Sequence, residues 1–137
     1  MNRFVTRRGL FATLAAGGLA FWSRGLRAAG GVKKVAFALS KVEALAKVGG
    51  FAVLKIKGRD VLLVRDGDKS VRALDPTCSH QKCTVAYEPK DGLLHCPCHK
   101  SAYNLDGKVL DGPAPKPLTI FAATLDGDRV ILSLPEA

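Results

Sequence analysis

Cys78-Ser79-His80-Gln81-Lys82-Cys83 and Cys96-Pro97-Cys98-His99-Lys100-Ser101 hold all four cysteines of the chain and two of its three histidines. In 137 residues such crowding marks a site rather than a composition. Each box offers a soft thiolate and an imidazole, in the pattern C-x-H, fifteen residues, then C-x-x-H. Strand-like runs flank both boxes, with Thr84–Tyr87 and Leu93–His95 lying between them. Each box therefore sits in a loop, where several side chains can be aimed at one point.

The same texture continues outward. Val35–Leu39, Phe51–Ile56, Val61–Val64 and Val71–Leu74 precede the boxes, and Lys108–Leu110, Leu118–Thr124 and Arg129–Leu134 follow them. Gly58-Arg59-Asp60, Asp66-Gly67-Asp68, Asp91-Gly92, Asp106-Gly107 and Asp126-Gly127-Asp128 supply turns. Strands this short and evenly spaced predict an all-β domain, a small antiparallel β-sandwich with the box-bearing loops at one end. One exception is expected. Ser40-Lys41-Val42-Glu43 has capping-box spacing before Ala44-Leu45-Ala46, which predicts a short helical turn. The length allows one small domain, over 31–137, of a size that often needs a metal or a covalent staple.

Residues 1–30 read as an address rather than as part of that domain. Thr6-Arg7-Arg8-Gly9-Leu10-Phe11 resembles a twin-arginine export motif, and Leu10–Trp22 forms a short apolar stretch ended by Arg24. An unaided span takes about 20 apolar residues, more than this stretch provides. Arg27-Ala28-Ala29 is a poor cleavage site, so a cleaved leader and a retained anchor both stay open. The expected location is the periplasm, with the domain soluble or tethered to the outer face of the cytoplasmic membrane. Five arginines and no acid lie in this segment, and without them the formal charge falls from +9 to +4. That balance is ordinary, no basic stripe is interleaved with aromatics, and nucleic acid is not an expected partner.

Two thiolates and two imidazoles suit either a zinc ion or an iron–sulfur cluster, but C-x-H is not a usual zinc-finger half. With the boxes in place, the chain from about residue 34 onward resembles the Rieske [2Fe–2S] proteins. The resemblance implies one cluster, with Cys78 and Cys96 on one iron and His80 and His99 on the other. Two neutral imidazoles in place of thiolates remove negative charge, so an added electron is easier to accept. Potentials of such centres run from about −150 to +300 mV.

Further features follow from the same resemblance. Cytochrome bc-type Rieske proteins have cysteines at the places of Cys83 and Cys98, joined as a disulfide, whereas the ferredoxins of aromatic-ring dioxygenase systems generally lack them. Such a bond agrees with an exported protein. Ser101 and Tyr103 match the serine and tyrosine that donate hydrogen bonds to cluster sulfurs in high-potential members. Gly112-Pro113-Ala114-Pro115 matches the loop that covers the cluster. His95 matches no ligand position and reads as a strand residue.

The chain departs from the quinol-oxidising pattern where Gln81-Lys82 replaces leucine-glycine and Lys100 replaces glycine. The tip is expected to be polar and cationic, which suits charge-steered docking. Two functions are expected on this basis. One is an electron carrier or relay subunit serving partners such as a cytochrome c or a larger oxidoreductase subunit. The other is the catalytic Rieske subunit of a quinol:cytochrome c oxidoreductase. No hydrolytic triad or phosphate-binding loop competes with them.

Overall fold

The structure is a computed structural model that describes residues 30–136, so the export segment expected over 1–30 lies, apart from Gly30, outside the described residues. Ten strands follow in chain order: β1 Val32–Ala38, β2 Phe51–Ile56, β3 Arg59–Gly67, β4 Ser70–Leu74, β5 Ala86–Glu88, β6 Leu93–His95, β7 Ala102–Tyr103, β8 Val109–Asp111, β9 Ile120–Asp126 and β10 Arg129–Pro135. They form a six-stranded sheet in the order β1-β10-β9-β4-β3-β2 and a four-stranded sheet in the order β5-β6-β7-β8. Every pairing is antiparallel, as expected for short strands joined by tight turns. At the β2–β3 turn, Lys57 and Gly58 take φ of 54° and 79°, the paired positive angles of a tight hairpin.

β3 organises the packing. Its Val61-Leu62-Leu63-Val64 run is buried on both faces. Val61 and Leu63 join one core with Phe121, Val130, Leu132 and Leu134, whereas Leu62 and Val64 join a second with Cys78, Tyr87, Leu94, Cys96 and Tyr103. Phe37 of β1 and Leu54 of β2, from opposite edges of the six-stranded sheet, pack against the first core. The sheet therefore curls around that core and presents its other side to the box-bearing sheet.

Arg72 ties the two sheets at their surface. Its guanidinium donates to Asp66 Oδ2 at 2.8 Å and to Asp106 Oδ1, in the β7–β8 turn, at 2.9 Å. Burial would raise the Asp66 carboxyl, but Arg72, with help from Ser70, outweighs it and holds the group below the usual aspartate value.

The helical expectation needs correction. Leu39–Lys41 and Glu43–Leu45 are two separate 3₁₀ turns, and neither has a side-chain cap. Ser40 is not a cap because a distant acceptor takes its hydroxyl: Ser40 Oγ donates to Asp128 Oδ2 at 2.7 Å. The strand expected over Leu118–Thr124 begins two residues later, at Ile120, and β7 was not expected at all.

Candidate metal centre

The first box lies in the 75–85 connection between β4 and β5. A bridge between Thr77 and Thr84 closes its base, and Val85 N donates to Pro76 O at 2.8 Å. The second box is the tip of the β6–β7 hairpin. The two loops share one hydrogen-bond pattern. Cys78 N donates to Cys83 O at 2.7 Å, and Lys82 N to Cys78 O at 3.0 Å; Cys96 N donates to Ser101 O at 2.8 Å, and Lys100 N to Cys96 O at 3.0 Å. The fifth residue of each is left-handed, with φ of 61° at Lys82 and 60° at Lys100. Cys78 and Cys96 are thus equivalent, as are Cys83 and Ser101. The imidazoles are not, since His80 is third in its loop and His99 fourth.

Burial divides the four expected ligands into two pairs. Cys78 and Cys96 are free thiols, 0% and 2% exposed. His80 and His99 are exposed, and their rings meet edge to face with centroids 4.5 Å apart. Burial pushes the Cys78 thiol up, but hydrogen bonds from the Tyr103 hydroxyl, the His80 backbone and Cys96 overcome it and leave the group below its ordinary value. Burial, then the neighbouring Cys78, pushes the Tyr103 hydroxyl up. The site thus shifts Cys78 toward the thiolate and Tyr103 toward the protonated phenol.

Cys83 and Cys98 form the expected disulfide, which ties the two loops together. The sulfurs of Cys83, Cys96 and Cys98 lie within 4.8 Å of one another, but two of the three are committed to that bond, so this trio is not a metal-binding set.

Ser101 is fully buried, and its Oγ accepts the Ala114 N–H at 3.2 Å. A hydroxyl carries two lone pairs and one proton, so the proton remains available to a second partner. Gly112 sits at φ 91° against Ser101, where a Cβ would fall 2.5 Å from Ser101 Cα. Pro113 and Pro115 stay at the surface while Ala114 turns into the core. Ser79, which sequence reasoning did not single out, holds this segment to the first loop: its Oγ donates to Lys116 O at 2.8 Å and accepts Lys116 N–H at 3.2 Å. His95 pairs with Asp91 Oδ2 at 2.7 Å and stays in β6. The donor set of two neighbouring buried thiols and two neighbouring imidazoles, with hydroxyls beside them, fits an iron–sulfur cluster.

Comparison with known proteins places this geometry. A family model described as Rieske [2Fe-2S] domain matches residues 36–122. The cytochrome b6-f complex iron-sulfur subunit of Synechococcus sp. (strain JA-3-3Ab) is 40% identical over 79 residues, which are 57% of this chain and 46% of that subunit. The chain therefore spans about half the length of the curated relatives it matches. Among solved structures, the cyanobacterial plasma membrane Rieske protein from Synechocystis PCC 6803 is 30% identical, covering 60% of this chain and 84% of that one with a TM-score of 0.55. The ferredoxin of carbazole 1,9a-dioxygenase from Nocardioides aromaticivorans IC177 is 25% identical, covering 75% and 98% with a TM-score of 0.60. A chain of a hyperthermophilic respiratory Complex III is 29% identical, covering 69% and 71% with a TM-score of 0.53.

Proposed function

We propose an electron-transfer function for this chain, which belongs to the Rieske [2Fe–2S] domain family. Its cofactor is the Rieske [2Fe–2S] cluster, and in our reading Cys78 and Cys96 hold one iron and His80 and His99 the other. When bound, the cluster takes up and gives back one electron at a potential raised by its imidazole ligands. The observation that carries this reading is the division of burial, with thiols inside the core and imidazoles at the surface.

Each neighbouring residue then has a task. With Cys78 bound as a thiolate, the Tyr103 hydroxyl is the donor of the pair and draws negative charge from the sulfur, which favours the reduced state. Ser101 turns its remaining proton toward the same space. The Cys83–Cys98 bond holds the two loops at a fixed separation. The segment around Ala114 keeps water from the thiol side. His80 and His99 form the edge through which a partner exchanges electrons. The partners are redox proteins, such as a cytochrome c or a larger oxidoreductase subunit. The compartment is the periplasm, reached through the twin-arginine-like segment and consistent with the disulfide. Among the described residues no helix is long and apolar enough to cross a membrane.

A second reading, the catalytic subunit of a quinol:cytochrome c oxidoreductase, is favoured by relatives that are cytochrome b6-f iron-sulfur subunits. There His80 or His99 would accept the hydrogen bond of a quinol. The polar Gln81 and Lys82 favour the first.

The test is purification of the native full chain. Iron and acid-labile sulfide in equal amounts, a Rieske-type resonance on reduction and single-turnover reduction of a cytochrome c are expected. Stoichiometric zinc without iron overturns the reading. Loss of quinol:cytochrome c activity from membranes of a deletion strain would move the assignment to the second.

A further inference from the structure

Three segments form the tip, 76–83, 96–101 and 112–117. Together they contain three lysines, Lys82, Lys100 and Lys116, and neither Asp nor Glu, with Asp75 and Asp111 flanking the first and third segments. All three lysines are exposed, and among the described residues none has a carboxylate within salt-bridge distance. They are three of the sixteen Lys and Arg residues of 31–137, whose net charge is +4, and within these three segments no carboxylate offsets them.

Two of the lysines occupy places that suit a smaller residue. Lys82 and Lys100 are left-handed, a conformation that glycine adopts freely and an L side chain adopts only at a cost. Lys57 does the same in the β2–β3 turn, so positive φ alone does not mark the tip. The repetition does: equivalent positions of two equivalent loops both carry an exposed lysine, and each loop also carries an exposed imidazole. Lys116 is fixed by its backbone bonds to Ser79. It lines, with Lys82, Ser79 and Thr77, a groove of about 320 Å³ that reaches Cys78. Asp75 also borders that groove, with its Oδ1 accepting the Thr77 N–H at 2.9 Å.

We propose that Lys82, Lys100 and Lys116 form a docking ring for the acidic face of a redox partner, a protein whose own cofactor edge is surrounded by Asp and Glu side chains. Resting on the electron-transfer reading above, this names the chemistry of the partner. An acidic face meeting this ring is drawn in by the field and arrives with its cofactor against His80 and His99. Side chains chosen for charge rather than conformation explain why glycine is absent from both left-handed positions.

The test uses the reduced holoprotein in stopped flow, with two oxidants of opposite sign: hexacyanoferrate(III) and tris(1,10-phenanthroline)cobalt(III). The rate with the anion should fall as salt is added, and the rate with the cation should rise. In the Lys82→Gly, Lys100→Gly, Lys116→Gln variant the anion should react roughly tenfold more slowly at low salt and the cation faster. A change in driving force alone would move both rates together. Thermal stability of this variant should be equal or higher, because two left-handed lysines become glycine; a purely structural role for the lysines predicts the reverse. A small c-type cytochrome with a carboxylate-ringed haem edge should react faster than the same protein after carboxylate amidation. A chain that reacts with neither reagent overturns the electron-transfer reading and this one with it. Salt responses of the same sign for both reagents, or indifference to cytochrome amidation, overturn only the docking ring. Lysine-dependent retention on phosphatidylglycerol vesicles without cytochrome discrimination reassigns the ring to lipid and overturns the proposal.

Discussion

The Tyr103 hydroxyl lies 3.1 Å from Cys78 Sγ, at the end of a ring that is fully buried. One side chain therefore joins the floor of the core to the edge of the metal site. Two roles meet in it, packing through the ring and charge adjustment through the oxygen, and they are separable by substitution.

Tyr103→Phe keeps the ring and removes the donor. The midpoint potential should fall by roughly 20–65 mV, the equivalent of one hydrogen bond for a one-electron couple, while the cluster content stays unchanged. Voltammetry of the two proteins under one set of conditions decides it. An unchanged midpoint would show that the hydroxyl does not favour the reduced state.

Gly112→Ala places a methyl group against Ser101 at a backbone angle an alanine resists. The segment must back away, and the Ala114 N–H to Ser101 Oγ bond is lost. A loss of about 1–3 kcal/mol of stability is expected, with faster bleaching of the visible absorption in air. Equal bleaching rates would mean that this segment does not protect the site.

Cys98→Ser opens a covalent link between residues fifteen apart in sequence. In the chain-entropy model closure of such a loop is worth about 3 kcal/mol. Cys78, His80, Cys96 and His99 remain, so the cluster should assemble but be released at lower temperature or denaturant. Complete absence of cluster from folded variant protein would make the disulfide a condition of assembly instead.

Arg72→Met removes the link among Asp66, Arg72 and Asp106. A cost of about 1 kcal/mol is expected at neutral pH, discounted because the arginine is partly exposed. The folded-state pKa of Asp66 is depressed, so its contribution is full above the ordinary value of 3.8 and is lost as the pH falls through the lower folded value. Denaturation followed by circular dichroism at pH 7 and in that acid range should show the gap between variant and parent closing. A constant gap would trace the loss to packing of the arginine stem.

The sequence announced the chemistry more clearly than the packing. Cysteine and histidine spacing located both loops, because few other uses require those residues at those intervals. Strands with clear turns on both sides, such as Phe51–Ile56, were legible to their ends. β7 was not, since two residues carry no periodicity. The Val61–Val64 run signalled burial, but nothing local said that its two faces serve different cores. Ser40 illustrates the limit of local motifs: its partner, Asp128, is 88 residues away, and no window of sequence contains both. Arg72 with Asp66 and Asp106 is the same case, a tertiary relation among charges that read singly as surface.

The strand shared by both cores makes the domain a single cooperative unit. Peeling away the four-stranded sheet would bare Leu62 and Val64 to water, and peeling β9 and β10 from the curled sheet would bare Val61 and Leu63. Neither half can open while the other keeps its full stability. Amide protons of β3 should accordingly be the last to exchange with deuterium, at a rate that reports global unfolding. A half-built protein then offers no long-lived state in which a loaded metal site sits on a frayed scaffold.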